Sequence, residues 1–198
     1  MVDSNFVIEQ APLQDRDLLQ RMSLYFDAFD TRLRQGQGWF IFNATNGRSR
    51  RIASFMQHRL AEYRPLVTSY FVPWRDFALS AYVQEVGLSE LAPAASDPQA
   101  ASKARREYEL AVRVTRDTYA HMVNTDMLVL IGLKPAHRHE AILLDQMIEG
   151  RYRRKLATVL LTPDMPQELE TEFEQLDPSR TFWERLFQRM YETSLVAL

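Results

Sequence analysis

The sequence predicts an α/β domain of three layers, a parallel sheet with helices on both faces. Three observations carry that expectation. Trp39-Phe40-Ile41-Phe42 is an apolar run that a tight loop, Asn43 to Gly47, joins to helical spacing from Arg48 to about Tyr63. MLVLI at 127–131 and ATVLL at 157–161 are short uninterrupted apolar runs, as in strands buried on both faces. Between these runs lie long stretches of helical periodicity, and strands alternating with helices form parallel sheets through right-handed crossovers.

Taken in order, residues 1–14 read as an N-terminal arm, with a short strand at Phe6-Val7-Ile8. Leu18, Leu19, Met22, Tyr25, Phe26, Phe29 and Leu33 recur at helical spacing and predict one helix over 15–34. Gly36 and Gly38 stop it and admit the strand at 39–42. Ile52, Phe55, Met56, Leu60 and Tyr63 line one face of the next helix. LVTSYFV at 66–72 is β-branched and aromatic, hence a second strand, and Pro73-Trp74 open a helix through Val86. Residues 87–102 are rich in Ala, Pro and Ser and read as an exposed flexible loop. Helices are expected at 103–124 and 136–154, flanking the 127–131 strand. Pro163 ends the 157–161 strand, and Asp177-Pro178 reads as the start of a last helix, with proline in its first turn. Ser194 to Leu198 is either the end of that helix or an edge strand.

The 198 residues suit a single domain spanning 1–198, with no internal repeat. A net charge of −2 gives no global basic field for non-specific nucleic-acid binding, so any such contact must be local. With no cysteine, disulfides, thiolate metal sites and cysteine nucleophiles are excluded. No apolar run approaches membrane-spanning length and the N-terminus lacks a signal pattern, so a cytoplasmic location is expected. There is no GxSxG, and no acid pair at a hydrolase spacing.

Strand, glycine-bearing loop and helix is the setting of a phosphate-binding loop, whose amides face an anion. Laid against GxxGxGK[ST], the glycines fall on Asn43, Asn46 and Arg48, the lysine on Ser49 and the metal-binding hydroxyl on Arg50. Asn43, Asn46, Gly47, Arg48, Ser49 and Arg50 are therefore the candidate anion site, in a loop without its usual chemistry. Arg48, Arg50 and Arg51 have two readings. They hold a phosphate at the helix N-terminus, or the loop has collapsed and they pair with carboxylates or face solvent. His137, Arg138, His139 and Glu140 hold metal-ligating residue types, but residues two apart do not share a helix face, so a solvated helix start is expected. Trp74 and Trp183 are expected in the core or at an interface instead of as base-stacking platforms. Arg151, Arg153, Arg154 and Lys155 form the densest basic cluster, read either as a phosphate contact for nucleic acid or as favourable charge at a helix C-terminus.

The ordered stations from about residue 24 to 198 are the 39–53 unit, TSYFVPWRDF, MLVLIGL, a helix ending Glu149-Gly150-Arg151-Tyr152, ATVLLTPDMPQEL and WERLFQRM. Together they resemble the AAA+ ATPase core of the bacterial helicase-loader and IstB transposition-helper type. That resemblance implies a P-loop NTPase-like sheet in which the 157–161 strand lies between the 39–42 and 127–131 strands. It puts the family's Walker B acids at Gly132 and Leu133, its sensor asparagine at Asp164, and its arginine finger at Arg185. Without those acids and the lysine, no route to metal-assisted phosphoryl transfer is evident. The resemblance therefore implies a pseudo-ATPase with no catalytic residues, no metal and no cofactor. Its expected partner is another protein, an active ATPase or a second copy of itself, in a DNA transaction such as replication or transposition. A divergent NTPase completed by residues elsewhere or by another subunit, and a direct nucleic-acid binder, are the competing readings.

Overall fold

In the computed structural model, which describes residues 12–85 and 98–198, the apolar runs become the middle of a sheet. Its strands are β1 (Gly38–Ile41), β2 (Ser69–Pro73), β3 (Met127–Ile131), β4 (Ala157–Leu161) and β5 (Ser194–Ala197). They run in the order β2-β3-β4-β1-β5, and every pairing is parallel. The placement of 157–161 between the other two strands is as expected. Ser194 to Ala197 is an edge strand, which resolves the two readings of that segment.

Side chains alternate across the sheet and divide the core in two. Trp39, Ile41, Val129, Val159 and Leu161 face one side, where α1 (Leu13–Asp27), α2 (Phe29–Arg34) and α3 (Asn46–Ala61) cover them. Phe40, Leu128, Leu130 and Leu160 face the other, against α4 (Trp74–Glu85), α5 (Pro98–Asn124), α6 (Arg138–Arg153), α7 (Pro166–Leu176) and α8 (Thr181–Thr193). All five residues of β4 are buried. Burying one Val or Leu side chain contributes about 1.5–3 kcal/mol, so this strand anchors both cores. Gly38 is required where β1 meets β4, because a Cβ there would lie 1.7 Å from the Thr158 carbonyl oxygen.

The structure corrects several boundaries. The helix expected over 15–34 breaks at Ala28 (φ −111°, ψ 27°), which lets Phe29 pack on Phe26 and Tyr63. β2 starts at Ser69 because the Asp126 carboxylate holds the Thr68 amide, while Leu66 is exposed. Residues 98–102 are helical, so α5 begins at Pro98, where the missing N–H costs nothing; residues 87–97 lie outside the described part. Of the arm expected at 1–14, residues 1–11 with the strand at Phe6–Ile8 lie outside it too, and residues 13 and 14 already belong to α1, which begins at Leu13. Helix α7 was not expected at all. The last helix starts at Thr181 and not at Asp177: Arg180 is left-handed (φ 60°), and the Asp177 carboxylate accepts the Ser179 and Phe182 amides ahead of the helix.

Candidate functional site

In open parallel sheets ligands bind beyond the carboxyl ends of the strands, so β1, β3 and β4 direct attention to that edge. Between β1 and α3 the chain has only residues 42–45. Asn43 takes a left-handed conformation (φ 51°), which asparagine tolerates better than most residues. Its amide donates to the Asp164 carbonyl (3.0 Å) and the Ala44 amide to the Thr162 carbonyl (2.8 Å), which pins the loop to the exit of β4. The helix is already wound at Asn46, earlier than the Arg48 start expected, and its N-cap Thr45 makes no side-chain cap.

Arg48 is buried at 6% exposure and turns inward. Its Nη1 donates to the Asn43 carbonyl (3.1 Å) and, more weakly, to the Phe42 carbonyl (3.3 Å). Nη2 donates to the Leu198 carbonyl at 2.9 Å. Nε lies 3.0 Å from Asp15 Oδ1, in charge contact without an aligned hydrogen bond. Asp15, on α1 and 1% exposed, also takes two hydrogen bonds from Arg51 on its other oxygen (2.9 and 2.5 Å). One guanidinium thus ties together the loop, α1 and the end of β5. Ser49 is buried beside it, Arg50 and Gly47 are exposed, and a Cβ on Gly47 would meet only Arg51, at 3.5 Å.

Across the edge, Gly132 follows β3 with φ +78°, and its amide and that of the buried Leu133 both donate to the Leu161 carbonyl. Lys134 then reaches over β4. Its ammonium contacts Asp164 Oδ1 at 3.1 Å and Glu172 Oε1 at 3.0 Å. The carboxyl of Glu172 is held above its ordinary range, chiefly by burial and in part by nearby Asp164, against the opposing pull of Lys134. Lys134 itself is raised, chiefly by its hydrogen bond to Glu172. Sequence reasoning did not identify Asp15, Lys134 or Glu172, because each meets its partner only through the fold.

No protein-family model matches this chain, and no curated protein matches it. Solved structures do. The crystal structure of the DnaC helicase loader superposes with a TM-score of 0.61 at 14% identity, over 95% of this chain and 92% of that one. The crystal structure of DnaI gives 0.56 at 12% identity, over 99% and 94%. The replication initiator DnaA bound to AMPPCP and single-stranded DNA gives 0.61 at 12%, over 100% of this chain and 51% of that one. The chain has the AAA+ fold of the helicase loaders. It spans about half the length of the DnaA chains it matches.

Arg185, expected at an arginine-finger position from the sequence resemblance, sits on α8 and donates two hydrogen bonds to Asp145 of α6, 2.9 and 2.7 Å. Burial raises the Asp145 carboxyl and the Arg185 charge opposes that shift. One turn on, Arg189 pairs with Glu149 at 2.9 Å and lies over the Tyr152 ring. The basic cluster is dispersed by the fold. Arg151 is fully buried and donates to Thr158 Oγ1 and to the Met122, Thr125 and Ala157 carbonyls. Burial, then the neighbouring Arg154 charge, push its guanidinium down to about 9, so it stays charged near neutral pH. Arg154 hydrogen-bonds the end of α5 at Val123 and Asn124, Arg153 pairs with Glu149, and Lys155 is exposed in a left-handed turn. His137 and His139 stack, while the buried Glu140 accepts the Ala136 amide; no metal-holding group occurs among the described residues. Trp74 and Trp183 are core residues.

Proposed function

We propose that this chain is a non-catalytic AAA+-like module that acts through contacts with other proteins in a DNA transaction such as replication or transposition, in the cytoplasm. The observation that carries the reading is the inward Arg48. A phosphate-binding loop needs open amides and room beside them. Here the Asn43 and Ala44 amides are engaged by Asp164 and Thr162 just beyond β4, and the Arg48 guanidinium is committed to Asp15 and three carbonyls.

The residues also do not fit a magnesium nucleotide. At Gly132, the position of the first Walker B acid, an acidic residue would have to adopt a strained positive φ. Leu133 is committed to the core, and Ser49 is too short to reach β- and γ-phosphates as a lysine does. The ammonium of Lys134 is already shared between Asp164 and Glu172. In this reading both motifs are degenerate, and the fold is kept for docking. The replication context rests on likeness to a helicase loader and an initiator, so it is an inference by fold analogy. Phosphate release from Mg-ATP by the full chain tests the reading. Release at background supports it; turnover that needs magnesium and disappears on Arg48→Ala would overturn it.

A further inference from the structure

We propose that a cleft at the amino edge of the sheet is a binding site for a small organic anion with a compact apolar body. This is the edge opposite Arg48. The cleft lies where the chain enters β1, β4 and β5, between the α2–β1 turn, the α6–β4 turn and the end of α8. It encloses about 300 Å³, at the low end of the range for small-molecule sites. The proposal goes beyond the non-catalytic reading and does not rest on it, since neither residues 42–51 nor Lys134 line the cleft.

The floor is apolar. Ile148 and Met190 are core residues, and half-buried Leu156 completes it. The walls are basic. Arg153, Lys155 and Arg189 line them, and among the described residues no carboxylate does. Glu149 stands behind and serves both arginines, Arg189 at 2.9 Å and Arg153 at 2.6 Å. Glu192 is 3.9 Å from Arg189 and already accepts the Tyr152 hydroxyl at 2.6 Å. Lys155 has no ion pair and no side-chain hydrogen bond among the described residues. It sits in a left-handed turn (φ 55°) packed so closely on Gly36 that a Cβ there would lie 2.7 Å from the Lys155 carbonyl carbon. Glycine or asparagine would take that turn at less cost, so the backbone alone does not call for a lysine.

The deepest polar group is Thr158, 6% exposed on β4. Its Oγ1 accepts the Arg151 Nε–H at 2.9 Å, which leaves its own O–H to donate, and no group among the described residues accepts it. Behind it the Arg151 charge is buried and met only by neutral oxygens. An anionic group placed here would accept from Thr158, meet the unpaired Lys155 ammonium and lie in the field of Arg151, where a low local dielectric strengthens each contact. The apolar body attached to it would cover Ile148, Leu156 and Met190.

Anilinonaphthalene sulfonate, an apolar ring system with one anionic group, is the probe, titrated by fluorescence against the full chain. It should saturate at a single site per chain and raise the melting temperature, as a ligand of the folded state does. Phenylnaphthylamine, the same rings without the sulfonate, and inorganic phosphate, a charge without rings, should each bind at least about tenfold more weakly. Lys155→Asn keeps the left-handed turn and removes the charge. It should weaken the probe about tenfold without lowering the melting temperature of the free chain, and Lys155→Arg should retain binding. A probe that binds as well without its sulfonate, or is indifferent to Lys155→Asn, overturns the proposal. So does one that fails to saturate, or that lowers the melting temperature by favouring the unfolded chain. The outcomes separate from the catalytic question: magnesium-dependent turnover would leave this cleft standing, and a silent probe would leave the non-catalytic reading in place.

Discussion

Arg48 and Arg151 are both buried arginines, one at each end of the sheet, and they are held in different ways. Arg151 meets only neutral oxygens, three carbonyls and a hydroxyl, that belong to the ends of α5 and to β4. Arg48 has carbonyl partners too, but its charge is matched by Asp15 from a helix 33 residues earlier in the chain. The first is a strut that closes the core beneath the α6–β4 turn. The second is a plug at the carboxyl edge of the sheet, where open parallel sheets bind ligands, kept in place by a carboxylate from outside the loop. The comparison teaches that a run of arginines says little about anion binding until each guanidinium's internal acceptors are known.

The largest expected effect comes from removing the strut. Arg151→Ala leaves three carbonyls and a buried hydroxyl without their donor and opens a cavity, so it should cost about 4 kcal/mol or more of unfolding free energy in urea titration. A cost below about 1 kcal/mol would mean that water replaces the side chain without penalty. Part of this was legible in the sequence. Arg151 falls in register with Leu144, Met147 and Ile148 on the inward stripe of α6, and all four are buried. Reading it with Arg153, Arg154 and Lys155 as one basic patch followed composition where periodicity was the better guide.

The plug should yield next. Asp15→Asn keeps the shape of the carboxylate but leaves the buried Arg48 charge unmatched, at a cost of about 3 kcal/mol, the low end for a broken buried pair. Here the two regions should diverge. Inorganic phosphate should recover part of the lost melting temperature in Asp15→Asn, because an anion can replace the missing charge and stabilises only the folded state. It should recover none in Arg151→Ala. Equal response in both variants would erase the distinction between strut and plug.

What could be read from the chain follows the range of the interactions. β3 and β4 emerged with correct ends because five consecutive apolar residues demand burial on both faces. Helix α7 was missed although Pro166 opens it, Glu168 caps the Met165 amide, and Leu169 and Phe173 sit one turn apart. Two buried residues, with Leu176 partly buried behind them, made a faint periodic signal in a strongly acidic segment. The Asp177-Pro178 dipeptide misled in the other direction, since it builds the turn before α8 and not the helix itself. The fates of Arg48 and Lys134 were beyond local reading, because Asp15 and Glu172 reach them only after the chain has folded.

The smallest effect belongs to Arg185, which is exposed on α8. Its two-pronged pair with Asp145 is open to solvent on the arginine side, where such pairs contribute roughly 0.2–1 kcal/mol. Arg185→Ala should therefore lower stability by less than about 1 kcal/mol, and a larger fall in melting temperature would make it structural like Arg151.

Calorimetry with millimolar ATP, with and without magnesium, decides whether the loop is closed to nucleotide. If Arg48 and Lys134 fill the sites from within, the wild type should show no magnesium-dependent heat of binding, and any weak heat with nucleotide should match that of inorganic phosphate. Magnesium-dependent binding that a single substitution within residues 43–50 abolishes would contradict it.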